Sequence, residues 1–131
     1  MYPQNIVLQS NATAMNISLN PIERTLYNLF LAHPEGIHSD NLVLHWKELC
    51  ITYSHESHYD DPDLREEKIE SLCAESKTVF YTNVSRIKKK FVKVLGSRNS
   101  KSIIIRRDQK SGLYKISNIP KARLFYPKTV L

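Results

Sequence analysis

The sequence predicts an α+β domain, and three observations carry that prediction. Apolar residues recur at helical spacing through the middle of the chain. Short β-rich runs occupy both ends, and a five-residue turn closing on a glycine separates the last two of them. Prolines and glycines fall at the joins between these segments rather than inside them.

Taken in order, residues 1–19 read as N-terminal strands. Ile6-Val7-Leu8 and the alternation Met15, Ile17, Leu19 give two short runs joined by the polar Ser10-Asn11-Ala12-Thr13, with their pairing left open. Asn20-Pro21-Ile22-Glu23 then marks a helix start. Asn20 caps, Pro21 suits the first helical position, and Glu23 lies three residues after the cap. Ile22, Leu26, Leu29 and Phe30 continue that helix, and His33-Pro34 ends it because the residue before proline avoids the α region. Glu35-Gly36 turns the chain into a brief strand at Ile37.

Ser39 is the expected cap of a second helix, carrying Leu42, Trp46, Leu49 and Tyr53 and ending near His55. Trp46 is expected to pack in the core. Residues 56–78 form an acidic insert: a loop with Asp60-Asp61-Pro62, then a short helix capped by Asp63 with Glu66 and bearing Ile69, Leu72 and Cys73. The clearest pattern spans Phe80 to Leu95, stopped by Gly96. Its apolar stripe is Phe80, Val84, Ile87, Phe91, Val94 and Leu95, and the opposite side carries Thr82, Asn83, Arg86, Lys89, Lys90 and Lys93. Ser102–Arg107 and Leu113–Ile116 flank Asp108-Gln109-Lys110-Ser111-Gly112 as a hairpin. Residues 117–131 are a basic tail without a clear period.

The 131 residues fit a single domain, and the 41% hydrophobic content is enough for a core. No apolar run approaches the roughly 18 residues of a membrane span. The first residues show neither a basic nor an apolar leader region, so a cytoplasmic location is expected. Cys50 and Cys73 are expected to be separate buried thiols rather than a disulfide.

Charge is strongly segregated. Residues 1–78 hold 5 Lys+Arg against 12 Asp+Glu, and residues 79–131 hold 14 against 1, the single acid being Asp108. A half this basic suits a polyanion, since the acidic half cannot neutralise all of it.

A group of helices closed by a hairpin is the layout of a winged helix-turn-helix, with the 80–95 helix as recognition helix and the hairpin as wing. The major groove admits a helix, so Asn83 is expected at an adenine edge and Arg86 at a guanine edge. Ser85, Lys89, Lys90 and Lys93 are expected to meet phosphates, with Thr82 on the same face. Arg106, Arg107 and Lys110 of the wing are expected near the backbone or the adjacent minor groove. The expected partner is double-stranded DNA, and the expected role is transcription regulation or DNA-associated accessory work. A rival reading is a winged-helix protein–protein interaction module whose acidic insert 56–78 docks a basic partner, or the basic half of a second copy.

Asn83-Val84-Ser85-Arg86-Ile87-Lys88-Lys89-Lys90-Phe91 followed by Leu95-Gly96 resembles the recognition helix of OmpR/PhoB-type winged-helix effector domains. Gly112-Leu113-Tyr114-Lys115-Ile116 is similar to their last wing strand, and Leu19–Glu23 with Leu29 and His33-Pro34 to their first helix and its turn. The resemblance covers roughly residues 15–117. It implies that Asn83, Arg86, Lys89 and Lys90 face DNA, with Arg107 or Lys110 in the wing. This chain departs from that pattern in its longer acidic stretch and in Lys110-Ser111 where the family has the first wing glycine, and no receiver domain is expected ahead of the segment. Leu29–Ile37 is also similar to a segment of short uncharacterised bacterial proteins, which implies no function.

No enzyme, cofactor or metal site is expected. The chain has no GxSxG, no P-loop and no dinucleotide fingerprint. His45, Cys50, His55, His58 and Asp60 match neither paired-cysteine nor HExxH spacing, and read as surface and loop residues.

Overall fold

The Asn20–Glu23 pair starts the first helix as its spacing predicts. Glu23 N donates to Asn20 Oδ1 at 2.9 Å, and Asn20 N donates back to Glu23 Oε1 at 2.9 Å. In this computed structural model residues 5–10, 13–57, 62–118 and 122–124 are described; for 5–10, 13–16, Pro62 and 122–124 this covers the backbone alone.

Two N-terminal strands, β1 (Asn5–Ser10) and β2 (Thr13–Ser18), pair antiparallel. Among the described residues five helices follow: α1 (Pro21–Ala32), α2 (Trp46–Glu56), α3 (Pro62–Leu72), α4 (Thr78–Leu95) and the short α5 (Ser97–Ser100). Strands β3 (Ile105–Arg107) and β4 (Tyr114–Ile116) form an antiparallel hairpin, and β5 (Ala122–Leu124) returns to pair antiparallel with β1. The fold is α+β, with a three-stranded sheet in the order β2-β1-β5 and the separate β3-β4 hairpin.

Several boundaries differ from expectation. The segment after Ser39 first winds as a tight 3-10 turn, Ser39–His45, before α2 begins at Trp46, and its cap is the imidazole of His38. Asp63 lies inside the first turn of α3 rather than at its cap. Ser102 to Ile104 are turn rather than strand, and the Gly96 stop is followed at once by α5. The basic tail supplies β5, which no local pattern marks. Its order comes from pairing with β1, 110 or more residues away in sequence.

The four longer helices share one core. Leu26, Tyr27 and Phe30 of α1 meet Leu49 and Tyr53 of α2, Ile69 and Leu72 of α3, and Phe80, Ile87 and Phe91 of α4. Fully burying each large apolar side chain contributes about 1.5–3 kcal/mol. Tyr27 and Phe91 rings lie 5.0 Å apart, and the Tyr27 hydroxyl donates to Ile103 O at 2.6 Å. Burial raises the Tyr27 pKa well above its ordinary value. The acidic insert is therefore no appendage, because Ile69 and Leu72 of α3 belong to the core while Glu66, Glu67 and Glu70 face solvent. Trp46 is half-buried against the same core.

Ile37 forms a two-way bridge with Tyr114, donating to Tyr114 O at 2.8 Å and accepting from Tyr114 N at 2.9 Å. Gly36 makes this close approach feasible. Its φ is +97°, and a Cβ there would meet Leu113 Cβ and Tyr114 O at 3.1 Å each. The hairpin is thus anchored to the turn after α1 as well as to α4. Among the described residues, no helix is long and apolar enough to cross a membrane.

Candidate nucleic-acid interface

Helix α4 presents two faces with different fates. Phe80, Ile87 and Phe91 are buried, each at 0–1% exposure. Thr82, Ser85, Arg86, Lys89 and Lys93 are all exposed, and at 3.6 residues per turn they fall within an arc of about 100°. Among the described residues, no carboxylate lies within ion-pairing distance of Arg86, Lys88, Lys89 or Lys93. Val94, expected in the apolar stripe, is 43% exposed in the last turn.

Two residues expected on the DNA-facing side are placed elsewhere. Asn83 is 4% exposed, and its amide donates to Val79 O at 2.9 Å. Lys90 reaches across to α1 and donates to the buried carboxylate of Glu23, the same oxygen that accepts from the helix cap. Asn83 follows Phe80 by three residues and precedes Ile87 by four, so helical spacing already sets it beside the apolar stripe, whereas Lys90 falls midway between the stripe and the exposed arc. The packing of α1 along α4 decides the matter for Lys90.

Helix α3 flanks the exposed arc without covering it. A shallow cavity of about 270 Å³ on the α3–α4 seam is lined by Ile22, Glu67, Lys68, Ser71, Val79, Asn83 and Arg86. Arg86 therefore stands at the edge of the basic face nearest the acidic helix, and remains exposed. The turn between these helices ends on Lys77, which takes a left-handed φ of 59° and pairs with Asp40 at 2.7 Å.

The hairpin divides its cations between two faces. Arg107 pairs with Tyr114 across the ladder and Arg106 with Lys115. Directly opposed residues point to the same side and successive residues to opposite sides. Arg107 therefore shares the side of Tyr114, whose ring stacks near Phe80 at 5.1 Å and Tyr81 at 6.2 Å on α4. Arg106 faces away, its guanidinium donating to Lys101 O at 3.4 Å. Arg106 and Arg107, both expected near the DNA backbone or minor groove, thus project from opposite sides of the strand.

The hairpin turn is organised by the one acid of the basic half. Asp108 N donates to Leu113 O at 2.7 Å, Gly112 N donates to Asp108 O at 2.8 Å, and Ser111 Oγ donates to Asp108 Oδ2 at 2.7 Å. The Ser111 hydroxyl holds the Asp108 carboxyl below its ordinary 3.8. Lys110 is exposed at the tip. Arg98 and Lys101, not singled out by sequence, add exposed cations between α4 and the hairpin. Nothing in their local sequence marks them, because α5 breaks the pattern of both neighbours.

Other candidate groups read differently. Cys50 and Cys73 are free and half-buried, and burial pushes the Cys73 thiol up to about 11, away from nucleophilic chemistry. His55 is exposed on α2, while His58 and Asp60 lie outside the described residues. No protein-family model, curated protein or solved structure matches the chain.

Proposed function

We propose that the chain is a winged-helix DNA-binding protein, acting in transcription regulation or as a DNA-associated accessory, with α4 as recognition helix and β3-β4 as wing. The observation that carries this reading is the exposed arc of α4, whose cations find no carboxylate partner among the described residues. The succession of α1, the Ile37 bridge, α2, α3, α4 and the hairpin supports the winged-helix assignment, as does the sequence resemblance.

On this reading Arg86 takes a base edge in the major groove, while Ser85, Lys89 and Lys93 meet phosphates. Thr82 lies at the start of the same face, and Arg107 and Lys110 follow the backbone beside it. Asn83 and Lys90 leave the contact set because packing claims them. Fluorescence anisotropy against double-stranded DNA tests the proposal. The expected result is binding whose log K falls with log salt at about −0.9 per phosphate neutralised. No binding even at low salt would overturn it.

The exposed Glu66, Glu67 and Glu70 of α3 favour a second reading, a docking surface for a basic protein or for another copy of this chain. Salt-labile oligomers in sedimentation without DNA would favour it over the first.

A further inference from the structure

Away from the basic face, the turn joining α1 to α2 gathers three donor side chains. His33 follows the last residue of α1, His45 ends the 3-10 turn, and Glu48 lies in the first turn of α2. His33 Nε2 is 2.9 Å from Glu48 Oε1, and His45 Nδ1 is 3.5 Å from the same oxygen. The two imidazoles meet edge to face with centroids 4.5 Å apart, and one donor atom from each residue falls within 4.8 Å of the others. On its other side, His33 Nδ1 is 3.2 Å from Glu35 Oε2.

Hydrogen bonding alone accounts poorly for this cluster. A neutral imidazole has one N–H and one lone pair, yet both nitrogens of His33 face carboxylates. One of those contacts sets a lone pair against a carboxylate unless a positive charge intervenes. A proton satisfies that contact but leaves His45 at 3.5 Å, beyond an N–H···O bond, from an oxygen already engaged.

A metal ion satisfies all three donors at once. Bonds of about 2.0–2.1 Å in a tetrahedron put ligand atoms roughly 3.3 Å apart. The observed 2.9 and 3.5 Å bracket that edge. The Glu35 contact is also what a ligating histidine needs, since a carboxylate on the far nitrogen fixes the tautomer and turns the lone pair inward. His33 and His45 side chains are 24% and 23% exposed and Glu48 41%, so an ion has access from solvent.

We propose that His33, His45 and Glu48 form a site for a Zn²⁺-class transition-metal ion, with Glu35 positioning His33 and the fourth coordination position open to water. Two imidazoles and one carboxylate are borderline donors that suit Zn²⁺ over Mg²⁺ or Ca²⁺. The ion clips the end of α1 to the start of α2 and so braces Gly36 and Ile37, to which Tyr114 is anchored. This assignment is independent of whether the chain binds DNA.

Titrating Zn²⁺ into the metal-stripped full chain by calorimetry, with melting followed in parallel, tests the site. The expected result is one ion per chain and a raised Tm that Mg²⁺ does not reproduce. His45→Asn and Glu48→Gln, checked for native circular dichroism, should abolish both effects, and Glu35→Gln should weaken affinity by about 10-fold or more. Absence of stoichiometric binding, or binding that survives in folded His45→Asn and Glu48→Gln, overturns the proposal. Co²⁺ added to the unmutated chain gives an independent check. A tetrahedral visible spectrum without a thiolate charge-transfer band is expected, and such a band would place the metal at Cys50 or Cys73 and overturn the assignment.

Discussion

The seam between α1 and its neighbours and the outer arc of α4 treat charge in opposite ways. At the seam, Glu23, Arg24 and Glu56 are at most 5% exposed, and each is held by a partner: Glu23 by Lys90 and the helix cap, Arg24 by Glu56 and Leu19 O. Along the arc, Arg86, Lys89 and Lys93 stay in water with no carboxylate in reach among the described residues. Buried charges demand partners because desolvation is costly, whereas solvated cations lose little by remaining single. Residues of the same type therefore serve structure on one side of the molecule and are free for a ligand on the other.

The largest expected effect comes from breaking the seam. Arg24→Met leaves the Glu56 carboxylate buried without its cation and should cost ~3–5 kcal/mol in denaturant unfolding. A loss below about 1 kcal/mol would place this pair with weakly coupled surface charges.

Changes on the arc should act on binding and leave stability alone. Arg86→Ala should lose about 1–3 kcal/mol of discrimination between DNA sequences, measured by competition anisotropy. Lys89→Ala should weaken all sequences alike and lower the salt slope by about 1. Equal behaviour of the two variants would mean that Arg86 reads no base edge.

Asn83→Leu probes the shoulder between the two regions. Asn83 Oδ1 is buried without a hydrogen-bond partner among the described residues. An apolar side chain of similar size should leave stability unchanged or raise it by about 1 kcal/mol, with DNA affinity unaffected. A loss of affinity in the folded variant would return Asn83 to the interface.

The smallest effect concerns the β3-β4 turn. The folded pKa of Asp108 is depressed, so its contribution is present above the ordinary value of 3.8 and is lost as pH falls through the lower folded value. Amide chemical shifts of Ser111 and Gly112 should move in that acid window in the native chain and stay flat in Asp108→Asn. A transition centred above 3.8 would contradict the Ser111 contact.

Much of the fold was legible because it rests on short-range rules. The Asn20–Glu23 cap, the Pro21 start, the apolar stripe of α4, the Gly96 stop and the Gly112 turn each depend on residues within a turn or two of one another. The exposed arc was legible for the same reason, since Thr82, Ser85, Arg86, Lys89 and Lys93 lie well away from the stripe on any helical wheel. Strand alternation would also have separated Arg106 from Arg107, had the two-residue period been applied to the hairpin.

The sequence by itself determined the α+β class, the helical order and the segregation of charge, all properties of composition and local period. Only the tertiary structure decided that Lys90 pairs with the buried Glu23, that residues 122–124 pair with β1, and that His33, His45 and Glu48 converge. Each of these depends on which elements lie side by side. That is set by burying the shared apolar core, and polar side chains at the margins of those faces take whatever partners the packing brings to them.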